Sequence, residues 1–270
     1  MSDVVKYLGE KMPSELGMRV TRGTQRPVLP PTVDNFVAVP GMHGAWDFGA
    51  YMGPRPLALE CEFGTRNSFE LQRRINVLAA YLLGSDGRPR TMPIIFNNQP
   101  DRQIMARYSG EISLERIAGL GKFVLPMIAF DPFAYSVYES LDINVDSIIL
   151  VDSDVLVDTG YTFTISGPGS YAAYNYGDLA VAPVVELSGA FSSLNLSIGG
   201  VTFSYLEPFT GNLTIEFARK LVYSGSTNLL HKTNASFGML PPGTSQMMVS
   251  GSGLNINLDL RFREKYATTG

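Results

Sequence analysis

The sequence has very little of the side-chain chemistry that enzymes commonly use. Among its 270 residues are one cysteine, Cys61, and two histidines, His43 and His231, which lie in different halves of the chain. A single cysteine excludes an internal disulfide framework and any site built from several thiolates. A hydrolase triad needs a base that is oriented by an acid, and neither histidine lies in a motif that supplies one. We therefore predict that the protein is not an enzyme, with no catalytic residues, no cofactor and no metal ligands.

Acidic side chains offer two further candidate sites. Glu60 and Glu62, like Glu111 and Glu115, would share one face of a strand, which is typical of a solvated face and not of a glycosidase acid pair. A run of aspartates could offer oxygen ligands to Ca²⁺, although it lacks the glycine and the terminal glutamate of an EF-hand. We favour a solvated acidic linker over a calcium site for these residues: Asp142, Asp146, Asp152, Asp154 and Asp158.

Long apolar runs and an excess of positive charge are also missing. No stretch approaches 18 apolar residues, so we expect no membrane insertion. The opening MSDVVKYLGEK carries acids and has no apolar core, which predicts that no signal peptide is present. The net charge of −4 argues against specific nucleic-acid binding. Residues 1–135 carry 15 basic and 13 acidic side chains, against 6 and 12 in residues 136–270, so the two halves face different environments.

Apolar residues, glycine and proline are plentiful and favour a strand-rich protein. Hydrophobic residues make up 45% of the chain, with 27 glycines and 17 prolines. In the first half we predict strands over 35–39, 56–63, 92–97, 102–116 and 122–130. Cys61 falls on the apolar side of an alternating pattern in PLALECEF, which predicts a buried core residue.

One helix is predicted, over residues 67–84. Asn67 can cap its start, with Glu70 reaching back as in a capping box, and Gly84 can end it. One apolar stripe follows a 3.6-residue period: Leu71, Ile75, Leu78 and Leu82. Val77, Ala80 and Tyr81 widen the apolar surface to a second face. Either the same domain or a neighbouring subunit must cover that second face.

The second half reads as strands almost throughout. The segments TFTI, APVVEL, SSLNLSI, VTFSYL, NLTIEFA, QMMVS and LNINLDLRF recur at short spacing, separated by Gly, Pro, Asn and Ser. Leu254 to Phe262 alternate with polar residues, as an amphipathic strand does. The pattern predicts a β-sandwich or a jelly roll, following a linker that begins at Asp131.

The stretch VPGMHGAWDFGAYMGPRPLALECEF resembles the N-terminal segment of siphophage distal tail proteins. The shared features are a strand running into Pro40 and Gly41, a polar residue and Gly44, and then a loop and a second strand. The helix, a hairpin-like 102–130 and the closing DPFAYS follow in the order of that family. The second half is similar to its galectin-like sandwich, including the turn in FGMLPPGTSQMMVSGSG. The resemblance covers almost the whole chain.

The resemblance implies a mainly β protein with two domains. Residues 1–136 would be a ring-forming α+β domain with one helix packed on β-sheets, and residues 137–270 a galectin-like β-sandwich. The implied function is that of a structural hub at the distal end of a long non-contractile tail, within the virion. A homo-hexameric ring would join the tail tube protein to a tail-associated fibre or lysin protein, and the second domains would carry receptor-binding or baseplate proteins.

The aromatic stretch 44–53 is predicted to be a loop, because it is glycine-rich and too long for a two-residue hairpin turn. A loop with this many aromatic side chains must bury them in its own core or in a neighbour, and the ring-forming family favours the neighbour. The candidate partner-contact residues are Trp46, Phe48, Tyr51, Val77 and Tyr81.

A carbohydrate-binding module that touches the host cell wall is the alternative function. Its stacking residues would be Tyr171, Tyr174, Asn175 and Tyr176 in GSYAAYNYGD. The same residues also fit an aromatic turn packed at the edge of the sandwich, and we prefer that interpretation.

Overall fold

The computed structural model describes residues 4–117, 120–142 and 160–268. The chain forms two compact units, Met1–Ala134 with Ala267–Gly270 and Tyr135–Tyr266. The division falls between Ala134 and Tyr135, whereas the sequence placed it after residue 136 and gave the last residues to the second domain. The roles assigned to the two domains stay predictions.

In its described residues, the first unit is an antiparallel sheet with one α-helix and a separate hairpin. A 3-10 turn spans Pro13–Leu16. The helix and strands are β1 (Val5–Leu8), β2 (Met18–Val20), β3 (Thr32–Val37), β4 (Trp46–Met52), β5 (Arg55–Gly64), α1 (Ser68–Leu82), β6 (Thr91–Phe96), β7 (Gln99–Tyr108), β8 (Leu114–Ile117) and β9 (Leu120–Ala129). The main sheet has the order β1-β6-β7-β9-β5-β2, with β8 also paired to β9, and β3 and β4 form a two-stranded sheet of their own.

Strand β5 forms the centre of the first core, as its alternating sequence predicts. Leu57, Leu59, Cys61 and Phe63 are buried, while Glu60 is exposed on the opposite face. The strand pairs with β9 over its full length, and Phe63 stacks on Phe123 with ring centroids 5.0 Å apart. Cys61 is therefore a buried core thiol, as predicted.

Helix α1 buries the predicted apolar stripe, but its first and last residues differ from the predicted bounds. Leu71, Leu78 and Leu82 are buried, and Ile75 packs against the same core. The Asn67 side chain accepts a hydrogen bond from the Glu70 backbone N–H at 2.9 Å, so the predicted cap is present.

Two predictions for the helix ends are wrong. The Glu70 side chain bonds a different backbone N–H from the one a capping box requires, and Gly84 does not end the helix. Glu70 accepts from the Arg66 backbone N–H at 3.1 Å, one residue before the expected donor. The helix ends at Leu82 because Leu83 turns to an extended conformation, and Gly84 is not among the glycines with positive φ. An extended residue after the helix takes the place of the left-handed cap.

The second unit is a two-sheet sandwich. Its core draws on both sheets and includes the large buried side chains Tyr161, Phe203 and Tyr205. The six-stranded sheet has the order β11-β20-β13-β16-β17-β18 and the four-stranded sheet β12-β19-β14-β15. The strands from residue 134 onward are β10 (Ala134–Ser136), β11 (Thr162–Ile165), β12 (Gly169–Asn175), β13 (Val184–Phe191), β14 (Ser193–Ile198), β15 (Val201–Tyr205), β16 (Phe209–Glu216), β17 (Leu221–Ser224), β18 (Thr227–Asn228), β19 (Gly243–Ser252), β20 (Asn255–Arg261) and β21 (Lys265–Tyr266).

The predicted fold class is confirmed: the protein is mainly β, with a helix in its first unit and a sandwich in its second. The candidate calcium segment is not tested by this fold. Asp142 ends a 3-10 turn over Ser140–Asp142, and Asp146, Asp152, Asp154 and Asp158 lie outside the described residues.

Candidate functional site: an exposed aromatic hairpin

The predicted aromatic loop is a β-hairpin. Trp46–Met52 forms strand β4, which pairs antiparallel with Thr32–Val37, so the prediction of an irregular loop over 44–53 is wrong. The connecting turn covers 38–45, where Gly41 and Gly44 both have φ of +84°. That conformation is open to glycine at little steric cost.

A bulge aligns the aromatic side chains of β4. Asp34 pairs with Ala50 and Phe36 pairs with Asp47, so Phe48 and Gly49 together face a single residue of β3. Gly49 has φ +88°, and its N–H donates to the Asp47 Oδ1 at 2.8 Å. The extra residue shifts the alternation by one position.

The register gives the hairpin two unlike faces. Opposite residues of an antiparallel pair share a face, and neighbours along a strand alternate. Val33 therefore shares a face with Tyr51, and Val37 shares it with Trp46 and Phe48. We call these five residues the aromatic face. The other face carries Thr32, Asp34, Phe36, Asp47, Ala50 and Met52.

The aromatic face is open to solvent. Trp46 is 61% exposed, Phe48 69% and Tyr51 57%, and none of the three belongs to the hydrophobic core of the first unit. A soluble protein rarely leaves so many contiguous large apolar side chains uncovered unless they mark an interaction site. The hairpin can therefore bury apolar area against a partner without rearrangement of the core.

The two candidate residues on α1 differ from each other. Val77 is 49% exposed on the outer face of the helix. Tyr81 is half-buried: its hydroxyl donates to the Leu8 carbonyl at 2.7 Å and accepts from the Glu10 backbone N–H at 3.1 Å. Tyr81 thus ties the helix to the start of its own unit, and Val77 remains available for contact with a partner.

Sequence reasoning missed four apolar residues of these surfaces. Val33, Phe36 and Val37 lie on β3 and are exposed, and Phe69 near the start of α1 is 84% exposed. Val33 and Val37 could have been found only by pairing the two strands across the bulge. Phe69 carried a signal, because it lies eight residues before Val77 on the same helical stripe.

The structure does not leave Asn175 free to bind a sugar, as the carbohydrate-binding alternative requires. Asn175 is buried, and its amide group donates to the Leu179 carbonyl at 2.9 Å and accepts from the Gly177 N–H at 2.9 Å. Tyr171 packs against Phe163 with ring centroids 5.0 Å apart. Gly169–Asn175 is strand β12 at the edge of the four-stranded sheet, so the prediction of a turn is wrong, while packing at the edge of the sandwich is observed.

The second unit also contains an open cleft of about 870 Å³, and several charged groups that line it are paired with each other. Arg261 bridges Glu139 at 2.7 Å and Glu186 at 2.9 Å. The hydrogen bond from Arg261 is the main reason that the pKa of Glu139 lies below its usual value. A carboxylate held in this way is stabilised as an ion and is a poor proton donor. Its described surroundings therefore form an ion-pair network.

Two further findings concern other kinds of site. Among the described residues, no cluster of three or more His, Cys, Asp or Glu side chains could hold a metal ion. In the same part of the chain, no helix is long and apolar enough to cross a membrane.

Comparison with known proteins gives a family match for the first unit. Residues 13–129, which contain the hairpin and the helix, match the model of the phage tail protein RIFT-related domain. This part of the chain is therefore similar to a phage tail protein domain, over somewhat less than half of the sequence. A comparison with curated proteins gave no match.

The whole chain has the fold of a particular phage protein. It superposes on the crystal structure of the Dit (gp 19.1) protein of phage SPP1, a paradigm of the hub adsorption apparatus in phages that infect Gram-positive bacteria. The TM-score is 0.69 with 16% identity, over 97% of this chain and 98% of that one. Two chains of the phage P2 baseplate in its activated conformation, with Ca and with Sr, give TM-scores of 0.40 and 0.37, each at 9% identity over 96% of both chains. The predicted resemblance to siphophage distal tail proteins is confirmed.

Proposed function

We propose that this protein is a structural hub of a siphophage tail tip and that it acts as a hexameric ring in the virion. The observation that carries the proposal is the aromatic face of the hairpin, which is exposed in a single copy and lies within the residues that match the phage tail protein RIFT-related domain. Burial of such a face in a neighbouring copy would remove a large apolar area from water, which is the main driving force for association.

The proposed contact is heterologous, because the hairpin of one copy meets a different surface of the next. Such contacts generate a closed ring when the rotation between copies closes, and an open filament when it does not. Six copies would surround the tail axis. The ring would join the tail tube protein on one side to a tail-associated fibre or lysin protein on the other.

The sandwich units would present receptor-binding or baseplate proteins. The SPP1 Dit fold supports a role in a hub, while fold likeness by itself does not define the attached partners. In this proposal the protein holds other proteins and carries out no reaction, and its place is the distal end of the tail.

Cryo-electron microscopy of tails that carry the protein tests this function. The expected result is six copies in a ring at the distal end of the tail tube, with each hairpin in contact with an adjacent copy. Tails that assemble fully and infect normally without the protein would contradict the proposal. Binding of the second unit to purified cell-wall glycan, with no ring on the tails, would favour the carbohydrate-binding alternative.

A further inference from the structure

The outer face of α1 is a second uncovered apolar surface in the first unit. Phe69 is 84% exposed and Val77 49% exposed, with Arg73 between them at helical spacing. Beside this stripe lies a cavity of about 330 Å³ between the helix and the 3-10 turn at Pro13–Leu16. It is lined by Glu15, Leu16, Glu70, Arg73, Arg74 and Val77.

The hairpin and the helix carry opposite charge. Residues 32–52 contain two acids, Asp34 and Asp47, and no lysine or arginine, which gives a formal charge of −2. Residues 66–82 contain three arginines and one glutamate, which gives +2. Since Arg74 pairs with Glu70 at 3.3 Å inside the helix, Arg66 and Arg73 carry the unbalanced charge.

The side chains of the two surfaces are also suited to contact each other, because the helix offers an arginine and the hairpin offers aromatic rings. An exposed arginine can lie over an aromatic ring, and tryptophan is the strongest acceptor of this cation–π interaction. Phe69 and Val77 provide apolar area on either side of Arg73 for the remaining rings. Opposite net charge favours correct encounter and orientation of the two surfaces.

We propose that the outer face of α1, centred on Phe69, Arg73 and Val77, receives the aromatic face of the hairpin from a second copy of the chain. The partner is a second copy because every copy carries both exposed surfaces, and their formal charges are opposite. This inference rests on the proposed ring function and names the acceptor surface of the ring contact. Each copy then donates one hairpin and receives another, as a head-to-tail ring requires.

Charge reversal on the helix is the first test. Arg73→Glu should raise the protein concentration needed for half-assembly about tenfold or more, because it removes from the helix the cation that would contact the aromatic face of the next copy. Its melting temperature as a monomer should be unchanged, since Arg73 is exposed. Arg88→Glu is the matched control, because the Arg88 side chain is 86% exposed and lies outside α1. Equal assembly of both variants and the wild type would overturn the proposal.

Crosslinking through introduced cysteines is the second test. The native Cys61 should not react with the crosslinker, because it is buried. The full-length Phe48→Cys/Val77→Cys variant, treated with a short bis-maleimide, should give a denaturation-resistant ladder of up to six chains. The control is Phe48→Cys/Met239→Cys, since Met239 and Val77 are both 49% exposed. It should give no ladder.

The outcomes separate this inference from the proposed function. A hexamer in native mass measurement with no ladder from the Phe48/Val77 pair overturns the helix as acceptor and leaves the ring intact. Crosslinked dimers from the Phe48→Cys single variant would show hairpin-to-hairpin contact and would also overturn it. Absence of any ring from the wild-type protein, in solution and on tails, would overturn the proposed function itself.

Discussion

At the scale of single residues, Trp46 distinguishes a core role from a contact role. It is 61% exposed and lies on strand β4, outside the hydrophobic core. Trp46→Ala should leave the melting temperature of the monomer unchanged and weaken assembly. Interface aromatics at hot spots cost about 2 kcal/mol or more when truncated. The check is a melting curve and an oligomer mass on the same preparation.

A destabilised Trp46→Ala monomer that still forms normal rings would contradict this account. A loss of about 3–5 kcal/mol in unfolding free energy would be the sign of a buried aromatic. Tyr161→Ala is a suitable positive control for that loss, because Tyr161 is 1% exposed within the core of the second unit.

Glu264 is a residue whose charge opposes folding. Its side chain is fully buried, and burial raises the pKa of its carboxyl group. Neither carboxyl oxygen has a hydrogen-bond partner among the described residues. A raised pKa means that the contribution of this group to stability is fully present below the unfolded-state pKa. It is lost as the pH rises through the folded-state pKa.

Glu264→Gln should therefore raise the melting temperature at pH 7, because the amide keeps the shape of the side chain and removes the ionisation. The difference in melting temperature between the variant and the wild type should disappear as the pH is lowered to 4, because the native carboxyl group is protonated there. Melting curves across this range test the prediction. A variant less stable than wild type at pH 7 would show that the ionised carboxylate is favourably bound.

At the scale of elements, α1 shows how much a strong period reveals. Leu78 is 4% exposed and faces the core, whereas its neighbour Val77 is 49% exposed. Leu78→Asp should abolish soluble expression, because an unpaired buried carboxylate costs several kcal/mol, on the order of the whole stability of a domain. Soluble yield and melting temperature measure the effect.

Val77→Asp is the matched control for Leu78→Asp. The same chemical change one residue away should keep the monomer folded and weaken ring formation, since Val77 lies on the outer face of the helix. Equal damage to folding by both variants would show that the helix is covered on both sides within its own unit.

The hairpin shows where sequence reasoning stops. The stripe of α1 and the alternation of β5 were predictable, because each pattern is local and unbroken along the chain. Strand β4 was missed because Gly49 and the bulge interrupt its alternation, so Phe48 and Tyr51 share a face although they lie three positions apart. The aromatic face exists only once two strands are paired, and a single strand pattern does not contain that register.

The same limit applied to the helix ends and the domain boundary. Asn67 was found because an N-cap preference is chemical and local. The end of α1 was misjudged because Leu83, and not Gly84, leaves the helical conformation. The boundary between Ala134 and Tyr135 follows from long-range contacts, which neighbouring residues in the sequence do not encode.

At the scale of the whole molecule, the central claim is a ring of six chains, and native mass spectrometry of the purified protein tests it most directly. One chain has a mass of 29.5 kDa, so six chains give ~177 kDa. The account predicts this species in the wild-type protein, alone or with tail tube protein present, and its loss in Trp46→Ala. A single-chain mass under both conditions would contradict the account.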